Sequence, residues 1–442
     1  MLFHNLRIAW KSLKRNMALT VLIVSGIALG IALATTSAAA RHAFARNPIP
    51  KKSDVLHYVR IDNWDPLRPY PGEDPTRPPS QISYRDMRGI MSSSIPTRQS
   101  GSFKSGMYIY PDPKVGRPFR ENVRLVFSDF FPMFDVPFRY GSGWDKAADA
   151  GPEPVTVLSS EMNEKLFGGA NSIGKTVRIA TREFRVVGVL DDWKPSVKFY
   201  DITQNSIELP ENLFIPFNFV QPMEIRTSGN TDGWGPSTAA PGFAGFLQAE
   251  VNWIQMWVEL PTPDKVAAYE DFLRSYVLEQ KKAGRHPRPV NNRVTPLMEW
   301  LKEQNVVPKQ TTTLLIVSLL FLAVCALNLV GLLLGKFLAR ANEVGVRRAL
   351  GASRGDIFLQ YIIECELVGI LGGILGLLLS IGGIAALNAW LKTVAQRADF
   401  FRLDAPMILL SVGLSLLAAL VAGVYPAWRT SRLAPANYLR LQ

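Results

Sequence analysis

Residues 311–335 read TTTLLIVSLLFLAVCALNLVGLLLG, a stretch of 25 residues without Asp, Glu, Lys or Arg. About 20 apolar residues in a helix cross the hydrocarbon core of a bilayer. Three further uncharged windows of the same kind lie at residues 17–40, 367–391 and 405–428. We therefore predict four transmembrane helices, which excludes an ordinary soluble enzyme.

The connection between the first two spans, residues 41–310, has a mixed pattern. Alternating apolar residues predict strands, and apolar residues at helical spacing predict helices. The predicted strands are 105–110, 123–127, 176–180, 183–190 and 251–260, and the predicted helices are 80–91, a short one ending at 163–167, and 263–282. The fold class that follows is an α-helical membrane protein with four transmembrane helices and a large α+β extracytoplasmic domain inserted between helices 1 and 2.

Most of the net charge of +12 lies beside the predicted spans. Residues 1–16, 336–356 and 428–442 carry twelve Lys and Arg residues and two acidic residues. Loops rich in Lys and Arg stay in the cytoplasm, so these stretches are predicted to be cytoplasmic, and residues 41–310 and 392–404 to lie outside. Because membrane topology explains the basic charge, we expect no nucleic-acid partner.

The N-terminal segment has two interpretations. One helical face carries Leu2, Phe3, Leu6, Trp10 and Leu13, and the opposite face carries Arg7, Lys11 and Lys14. This pattern is typical of an amphipathic helix on the inner leaflet, although an ordinary charged flank would also fit. The span at 17–40 is longer than the roughly 7–15 residues of a signal-peptide core, so we expect an uncleaved anchor.

Residues 169–176, GANSIGKT, satisfy the nucleotide-binding pattern G-x-x-x-x-G-K-[ST]. That pattern binds phosphate only where the glycine loop leaves a strand and enters a helix. Here a predicted helix precedes the loop and a predicted strand follows it, so we expect a turn in which Gly174 supplies unusual backbone angles. The four histidines are scattered along the sequence. We therefore predict no catalytic residue, no metal and no cofactor in this chain.

The predicted cytoplasmic connection between spans two and three is the most informative segment. Residues 340–350 have a helical pattern, Gly351 supplies a helix stop, and Ser353 with Asp356 predicts a capping box before the next helix. One face of the short helix is apolar: Val346, Ala349 and Leu350. A short helix, a tight turn and a second helix that enters the membrane would form a lever. An integral membrane protein could receive force from a cytoplasmic motor protein through such a lever. A merely solvated connecting helix would explain the arginines but not the Gly-Ala-Ser corner.

Residues 342–353, NEVGVRRALGAS, resemble the signature of FtsX-like, MacB-type ABC transporter permeases, the type VII or mechanotransmission superfamily. Residues 426–440 are similar to the family's C-terminal end, and residues 167–190 resemble its external domain. One span, a large external domain and three further spans is also the family arrangement. The resemblance covers nearly the whole chain.

This resemblance implies roles for individual residues. The matching helix in the family docks on the ATPase subunit, which binds ATP and Mg²⁺. The residues implied to couple to the ATPase are Glu343, Val344, Gly345, Val346, Arg347, Arg348, Ala349, Leu350 and Gly351. The chain itself is expected to be a permease subunit and not an enzyme, with the ATPase supplied by a separate polypeptide.

The resemblance also implies an assembly and a division into domains. Two permeases, identical or paralogous, would join a cytoplasmic ATPase dimer in the bacterial inner membrane, with a periplasmic adaptor and an outer-membrane channel as further partners. The external domain would consist of a porter-like part and a sabre-like part. The implied spans are 17–40, 311–335, 367–391 and 405–428. The external parts are the porter-like part, 41–150 with 250–310, the sabre-like part, 151–249, and a short loop, 392–404. The cytoplasmic parts are the amphipathic helix, 1–16, the coupling helix with the entry to the third span, 336–366, and the tail, 429–442.

The expected activity is mechanical. The spans offer no charged passage, so cargo would be handled outside the membrane while ATP hydrolysis moves the external domain. The resemblance implies MacB-like export of an antibiotic, peptide or lipid-linked molecule. FtsX-like regulation of a cell-wall hydrolase and release of lipoproteins, as by the LolC and LolE permeases, are the alternatives.

Glycines in the first and third predicted spans are spaced one helical turn apart. Small residues one helical turn apart predict close helix packing, either within one protomer or across a dimer. They are Gly26, Gly30, Gly369, Gly372, Gly373 and Gly376. Residues 62–79 and 227–246 are rich in loop-forming residues and are predicted to be surface loops.

Overall fold

The computed structural model describes residues 2–15, 17–71, 76–203 and 205–433, without the side chains of residues 2–6. It divides into two compact units. The membrane unit contains residues 1–46 and 307–442, and the inserted domain contains residues 47–306. Residues 434–442 of the predicted tail and the side chains of Leu2, Phe3 and Leu6 lie outside the described part.

The helices are α1 (Leu2–Arg15), α2 (Met17–Ala45), α3 (Tyr84–Ile90), α4 (Phe130–Met133), α5 (Lys146–Ala150), α6 (Ser160–Phe167), α7 (Gly242–Gln248), α8 (Pro263–Lys282), α9 (Leu297–Glu303), α10 (Lys309–Leu338), α11 (Ala341–Ala349), α12 (Arg354–Ala395) and α13 (Ala405–Ser431). A short 3₁₀ helix covers Phe217–Val220. Four of these helices are long and apolar enough to cross a membrane: α2, α10, α12 and α13. This confirms the prediction of four spans.

Glycines bring α12 close to its neighbours in the membrane unit. A Cβ atom added at Gly369 would lie 2.6 Å from Cβ of Ala419 on α13, and one at Gly372 would lie 2.7 Å from Ile27 on α2. Gly373 and Gly376 of α12 approach α13 and α2 in the same way, and Gly30 of α2 approaches Leu322 of α10. Because lipid supplies no hydrophobic force between helices, such close approach is how van der Waals contact holds spans together.

Gly26 differs from the other glycines of this set. An added Cβ there would meet nothing within 4 Å in the described protomer. Packing within one protomer therefore does not account for this glycine, and packing across a dimer stays a prediction.

The inserted domain is built on one mixed sheet. Its strands are β1 (Leu56–Arg60), β2 (Ile82–Ser83), β3 (Arg98–Tyr110), β4 (Phe119–Val126), β5 (Phe138–Gly141), β6 (Val155–Leu158), β7 (Thr176–Ile179), β8 (Arg182–Leu190), β9 (Leu213–Pro216), β10 (Asn252–Glu259) and β11 (Arg293–Pro296). Their order is β11-β1-β10-β3-β4-β9-β6-β8-β5, with β2 beside β10 and β7 beside β3 and β8. The pairs β4–β9 and β6–β8 are parallel.

Both faces of the central strands are buried. Successive side chains of a strand point to opposite faces, and neighbours such as Trp257 and Val258 enter different core clusters. Helices α3 and α8 supply apolar residues to one cluster, and α9 with the 130–136 segment supplies the other. A packed core on both sides of the sheet thus stabilises a domain that contains no cysteine.

Some predicted boundaries were wrong. The helix expected at 80–91 begins only at Tyr84, because Ile82 pairs with Ile254 of β10 and the Ser83 side chain caps the helix. Part of the loop predicted at 227–246 belongs to α7, where Phe243 and Phe246 are buried against the core. In contrast, the helix containing the third span is 42 residues long and begins at Arg354, directly after Ser353 of the predicted capping box.

Candidate functional site

The elbow, residues 339–353, joins α10 to α12 and contains α11. Gly351 has a φ of 104°, a left-handed conformation that glycine adopts without strain. The Ser353 hydroxyl accepts a hydrogen bond from the Asp356 backbone N–H at 3.1 Å, and the Asp356 carboxylate accepts one from the Ser353 N–H at 3.0 Å. The helix stop and the capping box predicted from the sequence are both confirmed.

One face of α11 is fixed to the membrane unit and the other is exposed. Ala341, Val344 and Gly345 are buried. On the opposite face, the Val346 side chain is 47 % exposed and Leu350 is 83 % exposed. The exposed part of the elbow therefore ends in an apolar tip.

The charged residues of α11 bind other parts of the chain. Glu343 forms an ion pair with Arg15 of α1. Arg347 donates to the side-chain oxygen of Gln360 on α12 at 2.8 Å, and Arg348 donates to the backbone carbonyl of Leu433 at 2.7 Å. These contacts hold the short helix against the ends of α1, α12 and α13.

The implied coupling residues thus fall into two groups. Val346, Ala349, Leu350 and Gly351 are exposed, so a partner could reach them. Val344 and Gly345 are buried, and Glu343, Arg347 and Arg348 have the intramolecular partners given above. Their contact with an ATPase stays a prediction.

A buried charge cluster lies directly behind the elbow. Lys336 of α10 and Glu364 of α12 form an ion pair of 2.7 Å, and both side chains are fully buried. Arg340 lies 3.5 Å from the second oxygen of Glu364 and donates to the backbone carbonyl of Ser12 at 3.1 Å. The Ser12 hydroxyl donates to Glu364 as well. Glu364 therefore connects α1, α10 and the start of the elbow to α12.

Sequence reasoning missed this cluster. Lys336 and Glu364 stand just outside the uncharged windows; Lys336 belongs to the basic stretch 336–356 that was predicted to be cytoplasmic, and no role was predicted for Glu364. Burial of both side chains requires that they pair, because an isolated charge in an apolar environment is very costly. The signal available in the sequence was an acidic residue, Glu364, close to the start of a predicted span. The sequence does not show which residue pairs with it.

The sequence that imitates a nucleotide-binding loop has no phosphate-binding geometry. Helix α6 precedes it and strand β7 follows it, as predicted. Gly174 has a φ of 83°, which confirms the expected turn. The Lys175 ammonium lies 4.9 Å from the centre of the Phe167 ring, so it covers an aromatic face.

The inserted domain contains a cluster of possible metal ligands that the sequence did not suggest. Asp86, Glu250 and His286 offer ligand atoms within 4.8 Å of one another. Arg285 already occupies the space between the carboxylates, with its Nη2 atom 2.9 Å from Asp86 and 3.0 Å from Glu250. A metal ion there would meet this guanidinium, so the arrangement is that of a buried ion-pair cluster.

The charges of this cluster control the ionisation of Asp86. Burial by itself raises the pKa of the Asp86 carboxyl group. The hydrogen bond to His286 and the charges of His286 and Arg285 outweigh burial, and the pKa lies well below its usual range. Asp86 is therefore a stable carboxylate that joins α3 to the segment after α8.

Comparison with known families matches both units of the chain. The MacB-like periplasmic core domain matches residues 20–276, more than half of the chain. The FtsX-like permease C-terminal domain matches residues 315–435, which contain the elbow. The two matches together cover most of the inserted domain and most of the last three spans.

Individual relatives are distant. The pyoverdine export ATP-binding/permease protein PvdT of Pseudomonas aeruginosa is 26 % identical, over 71 % of this chain and 41 % of its own length. The macrolide export ATP-binding/permease protein MacB of Syntrophobacter fumaroxidans is 26 % identical, over 71 % of this chain and 46 % of its own length. The chain thus spans less than half the length of these relatives. The crystallised periplasmic region of MacB from Actinobacillus actinomycetemcomitans is 16 % identical with a TM-score of 0.36, over 56 % of this chain and 92 % of that structure.

Proposed function

Because the chain belongs to the FtsX-like, MacB-type family of ABC transporter permeases, we propose that it couples ATP hydrolysis by a cytoplasmic ATPase to movement of its periplasmic domain. Its four apolar helices and its family make it a multi-pass protein of the inner membrane. The ATPase is proposed to be a separate polypeptide that binds ATP and Mg²⁺.

The observation that carries this proposal is the apolar tip of the elbow. Leu350 is 83 % exposed, although Ala341, Val344 and Gly345 of the same helix are buried. Burying one leucine side chain gains about 1.5–3 kcal/mol, so a partner surface that covers this tip would be stabilised by it. We infer that the ATPase provides this surface.

The route of transmission follows from the contacts of the elbow. Glu364 joins α12 to Lys336 of α10 and to Ser12 of α1. Helix α1 leads into α2, and α2 and α10 are the two helices through which the chain enters and leaves the inserted domain. A push on the elbow would therefore reach both connections to that domain.

Export is the proposed outcome of this movement. The uncharged windows of the spans offer no charged passage, so cargo would be moved in the periplasm. The names of the relatives indicate export of macrolides and of pyoverdine for those proteins. By analogy, we infer an antibiotic, a peptide or a lipid-linked molecule as cargo, with a second permease in the complex.

Purification tests the assembly. The tagged chain, co-expressed with its neighbouring genes, should retain a polypeptide with ATPase activity after detergent extraction. Identification of the other polypeptides separates the alternatives, since a hydrolase would indicate regulation and an adaptor would indicate export. Absence of an ATPase from the purified complex, together with no ATP turnover in the preparation, would contradict the proposal.

Replacement of Leu350 by Asp tests the docking tip. Leu67 in the inserted domain is 90 % exposed and provides a matched control, Leu67→Asp. The Leu350→Asp variant should lose most of the bound ATPase, whereas the control should keep it. Equal retention by both variants would show that the tip does not dock.

A further inference from the structure

The membrane unit contains a cavity of about 220 Å³ beside the elbow. Residues of α1, α11 and α12 line it, together with Arg340. This volume is far above the roughly 10–15 Å³ that one water molecule needs. The cavity can therefore hold a polar group of several atoms.

The wall of this cavity is strongly basic. Its charged side chains are Lys11, Arg15, Arg340, Arg347 and Glu343. The carboxylate of the wall, Glu343, pairs with Arg15, and Arg340 lies 3.5 Å from Glu364. Lys11 and Arg347 therefore remain as cations without a carboxylate partner among the described residues. Gln360 and Tyr361 add polar groups to the same wall. Guanidinium groups match phosphate oxygens with paired hydrogen bonds, so the wall suits a phosphate.

The sequence positions of the lining residues place the cavity at the edge of the membrane. Arg15 lies two residues before α2, and Arg340 lies five residues after the uncharged window at 311–335. Tyr361 precedes the uncharged window of α12 by six residues, which is about 9 Å along a helix. The polar interface of a bilayer has a similar depth on each side.

Exposed apolar groups lie on the same helix as the cations. Trp10 of α1 is 47 % exposed, and the Lys14 ammonium lies 5.6 Å from the centre of its ring. Tryptophan is enriched at the level of the headgroups. Helix α1 thus combines an interfacial aromatic residue with one wall of a basic cavity.

We propose that this cavity binds the phosphodiester headgroup of an anionic glycerophospholipid from the inner leaflet. The phosphate lies among Lys11, Arg15 and Arg347, and its negative charge offsets the excess of cations. Basic pockets between membrane helices on the cytoplasmic side are suited to such headgroups. The bound lipid connects α1, α11 and α12 and so fixes the elbow in the position seen here.

A binding titration of the full chain tests this site without the ATPase. Delipidated protein in a neutral detergent is titrated with phosphatidylglycerol, with phosphatidylcholine and with inorganic phosphate, and native mass spectrometry counts bound molecules. We expect clear preference for phosphatidylglycerol. Equal binding of the two lipids would overturn the proposal, and tight binding of inorganic phosphate without a lipid preference would identify a free-anion site instead.

Two matched double variants separate the cavity from general surface charge. Lys11→Gln with Arg347→Gln removes two cations of the wall, and Arg7→Gln with Lys14→Gln removes two exposed cations of α1 outside it. Each cation near an anionic headgroup contributes roughly fivefold to binding, so the first pair should weaken phosphatidylglycerol binding about 25-fold. The second pair should leave it nearly unchanged.

The single variant Lys11→Gln tests the site without disturbing the fold, because the Lys11 side chain is exposed. Lys11→Gln alone changes a side chain at the surface of α1 and should weaken binding roughly fivefold. Equal loss of binding in the Arg7 and Lys14 control, or no loss in Lys11→Gln and in the cavity pair, would refute a specific headgroup site.

Discussion

Lys336 and Glu364 face each other across α10 and α12 with 2.7 Å between ammonium and carboxylate, and neither side chain reaches the surface of the chain. In chain order, one residue ends the second span and the other precedes the third. The elbow lies between them, so any displacement of the elbow acts on this pair.

Removal of one partner of this pair should be more harmful than removal of both. Lys336→Met leaves Glu364 buried with less compensation and should destabilise the chain by about 3–5 kcal/mol. The double variant Lys336→Met with Glu364→Leu should recover much of this loss, because no unpaired carboxylate is left buried and Arg340 keeps its hydrogen bond to the Ser12 carbonyl. Thermal unfolding of the two variants in detergent measures the difference.

Lys392→Met provides the control for that experiment, since Lys392 is exposed near the end of α12. It should change stability by less than about 0.5 kcal/mol. A double variant as unstable as Lys336→Met would contradict a direct pairing of the two charges.

Arg124 of β4 should be the most sensitive charged residue of the inserted domain. Its fully buried guanidinium binds Glu211 at 2.8 and 2.9 Å, pairs with Asp201 and lies over the Tyr200 ring. Arg124→Met should destabilise the domain by about 3–5 kcal/mol, because the buried Asp201 loses its cation and Glu211 keeps only Lys198. Urea unfolding, followed by tryptophan fluorescence, measures the loss.

Arg120→Met tests whether that effect belongs to the buried cluster. Arg120 lies on the same strand as Arg124 but is exposed. Its replacement should change the free energy of unfolding by less than about 0.5 kcal/mol. Similar losses in both variants would mean that the strand, and not the ion cluster, is sensitive to substitution.

Acid should weaken the inserted domain through Asp86. The pKa of this carboxyl group is lower in the folded chain than its ordinary value near 4, so the ionised form stabilises the fold. That contribution is complete above the ordinary pKa and is lost as pH falls below it towards the folded pKa. We expect the free energy of unfolding to decrease between about pH 5 and pH 2.

The variant Asp86→Asn isolates this contribution. The asparagine side chain takes up no proton in this pH range. The free energy of unfolding should therefore change with pH less steeply than in the unaltered chain, by up to about 1.4 kcal/mol per pH unit. Asp271→Asn, at an exposed position of α8, should keep the original slope. Identical slopes for Asp86→Asn and the unaltered chain would contradict a depressed pKa of Asp86.

Lys175→Ala should leave ATP turnover of the complex unchanged. The lysine covers the Phe167 ring, and the loop before it does not enter a helix. The expected loss is limited to about 0.5–1 kcal/mol of stability from the cation–ring contact. A fall in turnover of more than about tenfold would restore a nucleotide site at residues 169–176.

Local features of the elbow could be read from the sequence because they depend on neighbours in the chain. The capping box joins residues 353 and 356, and the left-handed turn needs only Gly351. In contrast, the helix at 80–91 was predicted too long, because its start depends on pairing of Ile82 with a strand 170 residues away in sequence order. Local helix propensity carries no information about a pairing strand that is distant in sequence.

The docking residues show the same division. The sequence placed Val346, Ala349 and Leu350 on one face, and all three are exposed. The family resemblance implies that Glu343, Arg347 and Arg348 contact the ATPase, which stays a prediction, and the structure also gives each a partner within the chain. A helical pattern separates two faces but does not say what covers either one.

By itself, the sequence determined where the chain crosses the membrane and which family it resembles, because a helix is how an uncharged stretch of more than 20 residues satisfies its backbone hydrogen bonds in lipid. Only the tertiary structure decided which charges meet. Ser12 and Glu364 are 352 residues apart, and Asp86 and His286 are 200 apart. The packing of whole helices and strands decides which residues become neighbours. A charge can be buried only where this packing places an opposite charge beside it, because a buried unpaired charge is very costly.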